Sequence, residues 1–155
     1  MRNEPTLSDN EAQIAIAAIR DQLRAEGKAA VIAVADPQGE LLAFLRTDGA
    51  KRAPIQIAMN KAFTAARERR PTFEIGQKVR HPERGFDIAY YGDPRYVGWG
   101  GGVPVVHAGQ VIGAVAVSGL PEEDDMRFAA HGVAAINNAL NDSGLSPGAQ
   151  PSKRS

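Results

Sequence analysis

The sequence predicts an α+β domain with a central, mostly antiparallel sheet flanked by helices, and three observations carry the prediction. Two pairs of short apolar runs rich in valine and isoleucine are each joined by turn residues, which reads as two hairpins. Three stretches place apolar residues at helical spacing. These hairpins and helices alternate as helix, hairpin, helix, long loop, hairpin, helix, an order that favours an antiparallel sheet over a parallel one.

The elements follow in chain order. Ser8 followed by Glu11 forms a capping box, and Ala12, Ile16, Ile19 and Leu23 recur at helical spacing up to Gly27. Residues Ala30 to Asp36 run apolar into the turn Asp36-Pro37-Gln38-Gly39, and Leu41 to Arg46 returns as the partner strand. Asp48-Gly49 breaks this pattern; Pro54 suits a first helical turn, and Ile55, Met59, Ala62 and Ala66 make one face of a second helix. That helix must end near Arg70, because Pro71 follows. From Thr72 to Gly102, glycines and prolines interrupt every period, which predicts a long functional loop. Val103 to His107 and Val111 to Ser118 form the second hairpin around Ala108-Gly109. Glu122 to Asn141 is the last helix, with acids in its first turn and Phe128, Gly132, Ala135 and Leu140 on one side. Residues 1–142 are thus one domain, and 143–155, rich in Ser, Pro and Gly, read as a disordered tail. The strands Ala30 to Ala35 and Val111 to Val117 lack the alternation of a sheet with one wet face. Three helices leave such a sheet short of cover, which predicts a homo-oligomer.

Composition excludes several function classes. The chain has 155 residues, 43% hydrophobic and 23% charged, the profile of one globular domain. It has no cysteine, which removes disulfides, thiolate metal sites, thiolate-ligated haem and a cysteine nucleophile. The longest apolar run, Ala29 to Ala35, is too short to cross a bilayer, and no basic stretch leads into an apolar one at the start. A cytoplasmic location without membrane contact is expected. Eighteen basic and eighteen acidic residues cancel, so no overall field favours nucleic acid. Between Arg46 and Arg84, however, ten basic residues face four acidic ones. This stretch reads either as a solvated surface or as the receptor for a small anion, since arginine forks match carboxylates.

Three stretches carry a family resemblance. They are Val31-Ile-Ala-Val-Ala-Asp36 with Gly39-Glu-Leu-Leu42 and Arg46-Thr-Asp48; Lys61-Ala-Phe-Thr-Ala-Ala66; and Gly101-Gly-Val-Pro-Val105 leading to Gly109-Gln-Val-Ile-Gly-Ala-Val-Ala-Val-Ser-Gly119. Together they resemble the haem-degrading or GlcG-like (HbpS-like) family over roughly residues 8 to 140. The resemblance implies a profilin-like layered domain, frequently assembled into dimers or larger rings. It also implies ligands such as haem, iron or corrinoid-related molecules, although members without assigned chemistry exist and fold does not fix function. No ligand motif of the family maps onto a histidine of this chain. His131 stands where the family usually has a small residue, and the segment from His81 to Trp99 is peculiar to a subgroup.

The candidate site residues concentrate in that middle segment. His81 lies in the loop beside Arg80 and Arg84, and His131 at the border of the last helix's apolar stripe; these two are the axial candidates if haem binds. His107 ends a strand. Gly100, Gly101 and Gly102 form either a strained turn or a cradle of amides for an anion. Tyr90, Tyr91, Tyr96 and Trp99 gather aromatics just before these glycines, as core packing or as the wall of a pocket. His81, Asp87 and Tyr90 could move protons while Arg67, Arg70, Arg80 or Arg84 grips a carboxylate. Arg67 and Arg70, three apart, place a pocket between the end of the second helix, the loop and the glycine turn. The histidines are too scattered for a metal site, and Ser118 lacks a nucleophile signature. Two readings therefore stand: a small-ligand-binding protein holding haem or a related planar molecule, and a cofactor-independent tautomerase, isomerase or hydratase acting on a small anionic oxo-acid.

Overall fold

Ser8 caps the first helix in the expected way. Its Oγ accepts from the Glu11 amide at 3.2 Å while the Ser8 amide donates to Glu11 Oε1 at 2.8 Å, which satisfies two amides that a helix start leaves open. In the computed structural model, which describes residues 4–143, this helix is α1 (Asp9–Ala25), followed by β1 (Val31–Ala35), β2 (Leu41–Arg46), α2 (Pro54–Glu68), α3 (Thr72–Val79), a 3-10 turn (Ile88–Tyr91), β3 (Gly102–His107), β4 (Gln110–Ser118) and α4 (Glu122–Ser143). The four strands form one sheet in the order β2-β1-β4-β3, antiparallel throughout. The fold class is α+β, as the sequence predicts.

β1 is buried along its whole length because alternate side chains enter two different cores. Ile32 and Val34 join Val115 and Val117 beneath Ile16, Ile19 and Leu23 of α1 and Phe128, Ile136 and Leu140 of α4. Val31, Ala33 and Ala35 face the other way, against Ala58 and Ala62 of α2. Small side chains on both partners let α2 lie close to the sheet. The chain's own helices therefore cover both faces of β1, which corrects the expectation that a second copy is needed to do so.

The second correction concerns the stretch after Pro71. Residues Thr72–Val79 are not loop but helix α3, started by Pro71 at its N-cap position. Gly76 disguised it, since a helix-interior glycine is unfavourable by roughly 0.8 to 1 kcal/mol relative to alanine. A Cβ at Gly76 would collide with the carbonyl oxygen of Gly98, so its absence is what docks α3 against the segment returning to the sheet. Ser143, at the start of the expected tail, closes α4 with its hydroxyl on the Leu140 carbonyl. The rest of that tail lies outside the described residues. Among the described residues no helix is long and apolar enough to cross a membrane.

Candidate functional site

Helix α2 presents Ala58, Lys61, Ala62 and Ala65 to the sheet, so a lysine sits in the middle of an apolar face. Its side chain is buried, and its amine reaches the last residues of β4. There Lys61 Nζ donates to the Val117 carbonyl at 3.0 Å and to Asp125 Oδ2 at 3.0 Å. The side chains are only 2% and 4% exposed. Asp125 is placed by the first turn of α4, and its Oδ1 accepts from the Leu120 amide at 3.1 Å. Burial pushes the Lys61 amine below its usual range and the Asp125 carboxyl above its own; their mutual attraction opposes both shifts.

This pair forms part of the wall of a cavity of about 370 Å³, together with Ile57, Trp99, Gly100 and Glu122. Two of the three ammonium donors of Lys61 are engaged by the Val117 carbonyl and Asp125, so the chain's own acceptors leave one of them over. Gly101, at φ +128°, passes directly over the amine: a Cβ there would stand 2.8 Å from Nζ and 2.6 Å from the Val117 oxygen. A glycine is required by both backbone angle and space. The neighbouring amides are already used, since Gly100 donates to Glu122 Oε2 at 2.7 Å and Gly102 to Thr72 Oγ1 at 2.9 Å. The glycine run is a tight passage around Lys61 whose outer two amides are held by the chain's own oxygens.

The residues singled out from the sequence divide among several places. Trp99 and Gly100 line the cavity over Lys61. Trp99 also borders an adjoining apolar cleft of about 280 Å³ with Arg80, Phe86, Ile88 and Val97, and Arg80 donates to the Gly98 carbonyl. His81 Nδ1 accepts from the amides of Glu83 and Arg84 at 3.1 and 3.0 Å, and the Arg84 guanidinium stands 3.0 Å from its Nε2. Asp87 caps the 3-10 turn through the Ala89 amide. Tyr90 is 82% exposed. Tyr91 stacks on Tyr96 at 4.5 Å, with its hydroxyl buried and lacking a hydrogen-bond partner. Arg67 is exposed over the Phe63 ring, Arg70 is exposed beyond the end of α2, and His131 is exposed on α4. Neither Arg67 nor Arg70 lines the cavity, which opens at the N-terminal half of α2. A basic recess of about 380 Å³, lined by Arg46, Lys51 and Arg52 with Asp48, precedes that helix. Among the described residues no group of three or more His, Asp or Glu side chains could hold a metal ion.

Sequence reasoning missed Lys61, Asp125 and Glu122 as a set. The available signal was a lysine between Ala58 and Ala65 on an otherwise apolar face, a place where a solvated lysine does not belong.

Comparisons with known proteins fit this architecture. GlcG of Escherichia coli strain K12 is 38% identical over 118 residues, 76% of this chain and 85% of its own. The crystal structure of Klebsiella pneumoniae ORFY superposes with a TM-score of 0.84 at 30% identity, covering 88% of this chain and 94% of that one. A double mutant of Streptomyces reticuli HbpS superposes at 0.77 with 27% identity, over 86% and 89% of the two chains. The family model described as haem degrading protein HbpS-like matches residues 7–134, a span that holds all four strands, Lys61 and Asp125, and this chain belongs to that family.

Proposed function

We propose that this protein binds a small carbonyl compound in the cavity between α2, the Trp99-Gly102 segment and the start of α4. The observation that carries the reading is the Lys61 amine, buried with one donor to spare beside a cavity of ligand size. Two carboxylates, Asp125 and Glu122, stand there against one ammonium. A neutral carbonyl oxygen therefore goes to the Lys61 end, and the carboxylate of an oxo-acid stays at the mouth, by Trp99. Thermal-shift measurements with small oxo-acids, dicarboxylates and simple aldehydes test this. Stabilisation by carbonyl compounds that falls in Trp99→Ala is the expected result; Trp99 is exposed, and its loss spares the core. Stabilisation that survives in Trp99→Ala but falls in Arg67→Ala or Arg70→Ala would move the site to the end of α2. No stabilisation by any carbonyl compound would remove the reading.

Haem or a related planar ligand is the second reading, favoured by the family and by the apolar cleft between Phe86, Ile88, Val97 and Trp99. Its lining suits a planar apolar ring, and Arg80 could pair with a propionate. No histidine lines that cleft, so iron ligation would fall to a residue outside it. A haemin titration followed at the Soret band decides: specific binding weakened in Arg80→Ala supports it, and the absence of specific binding rejects it. His81→Ala and His131→Ala test the two axial candidates in the same assay.

A further inference from the structure

We propose that Lys61 is a covalent site, forming an imine with an aldehyde or 2-oxo-acid carbonyl in this cavity, with Asp125 moving the protons. The inference rests on the small-carbonyl reading above and adds bond formation to it. Three features of the geometry point to it. The amine has a carboxylate 3.0 Å away that can take its proton and return it. Its side chain is buried, so the nitrogen holds one position beside the cavity. Gly101 leaves out the Cβ that would lie against that nitrogen. Burial disfavours the charged forms of both partners, which raises the fraction of neutral amine available for attack.

The step balances without any further reactant. Lys61 passes a proton to the Asp125 carboxylate, and the neutral nitrogen adds to the carbonyl carbon. The carbonyl π electrons move to oxygen, which takes the proton back from Asp125. Asp125 then removes a second proton from nitrogen and delivers it to the departing hydroxyl. Water leaves as the nitrogen lone pair closes the C=N bond. The ammonium, carboxylate and carbonyl have become an iminium, a carboxylate and one water.

Borohydride trapping on the wild-type protein tests this without any variant that could misfold. The full chain is incubated with pyruvate, or with acetaldehyde as an uncharged counterpart, reduced with borohydride, digested and mapped by mass spectrometry. The expected result is a reduced adduct on the peptide containing Lys61, at least tenfold above that on Lys28, Lys51 or Lys78, and lost when the chain is unfolded in urea first. An unmodified Lys61, or adducts spread evenly over the surface lysines, overturns the inference. Thermal shift with the same two compounds, without borohydride, separates the two readings. Stabilisation without a Lys61 adduct leaves the binding site standing and removes the covalent step, whereas neither stabilisation nor adduct removes both.

Discussion

Lys61 and Asp125 are held at a cost, because burial takes both charged groups out of water. Removing two charges from water costs several kcal/mol per ion, and their attraction repays it only when the remaining donors and acceptors are used. Here Val117, Leu120 and the ion pair itself use most of them. Deleting one partner strands the other charge. Lys61→Ala or Asp125→Ala should therefore lower unfolding free energy by about 3 to 5 kcal/mol. The combined Lys61→Met/Asp125→Leu variant should recover most of that loss, as measured by urea denaturation. A double variant as unstable as the two single effects added would show that the residues act independently. This pairing was hidden in the sequence because its members lie 64 positions apart, and a lysine is by default a surface residue. The glycines from Gly100 to Gly102 stand out in the sequence, but their contacts do not. Their spacing marked a special backbone, but only the fold shows that Gly101 yields its side chain to a lysine amine.

Among the elements, α1 and α4 are joined beyond their apolar contact by a charged clamp at one end. Arg127 of α4 donates to both Glu26 oxygens, at 2.8 and 2.9 Å, and to Asp124 at 3.1 Å. Glu26 caps the C-terminus of α1. The hydrogen bonds from Arg127, then that from Gln22, hold its carboxyl well below the usual 4.5, at about 2. The folded value lies below the unfolded one, so the clamp contributes fully above about pH 4.5 and is lost as pH falls toward about 2. Thermal melts of wild type and Glu26→Gln at stepped pH should show a gap that narrows through this window. A gap of constant size would mean that the clamp adds nothing to the link between α1 and α4. The helices and hairpins that were legible in the sequence owe it to local chemistry: the Ser8 capping box, Pro54 at a helix start, and turns at Gly39 and Gly109. Helix α3 was not legible, since it spans only 8 residues and its Gly76 answers to a distant contact with Gly98 that no local pattern reports.

At the scale of the molecule, the surfaces that favour assembly are the edges of the sheet and not its faces. Both faces of β1 are covered by the chain's own helices, yet among the described residues β2 and β3 are the edge strands, with no further strand paired on their outer sides. Unpaired strand edges carry free amides and carbonyls and invite pairing with another chain. β2 adds apolar surface to this, because Leu41 and Phe44 are exposed. Phe44 pairs with Ala33, whose side chain faces α2, but the ring lies beyond what that helix covers. Two copies related by a two-fold axis could bring their β2 strands together antiparallel, continuing the sheet and covering both side chains. β3 offers less, with Val106 exposed and a register irregularity between Val105 and Val106 that interrupts regular pairing. Light scattering at micromolar concentration should therefore give a mass well above the 16.5 kDa of the single chain. Leu41→Lys/Phe44→Lys should return it to the monomer, while Val106→Lys should leave the assembly intact. A wild type that scatters as a monomer would end the case for assembly. An assembly broken by Val106→Lys and spared by the paired substitution would place the interface on β3 instead.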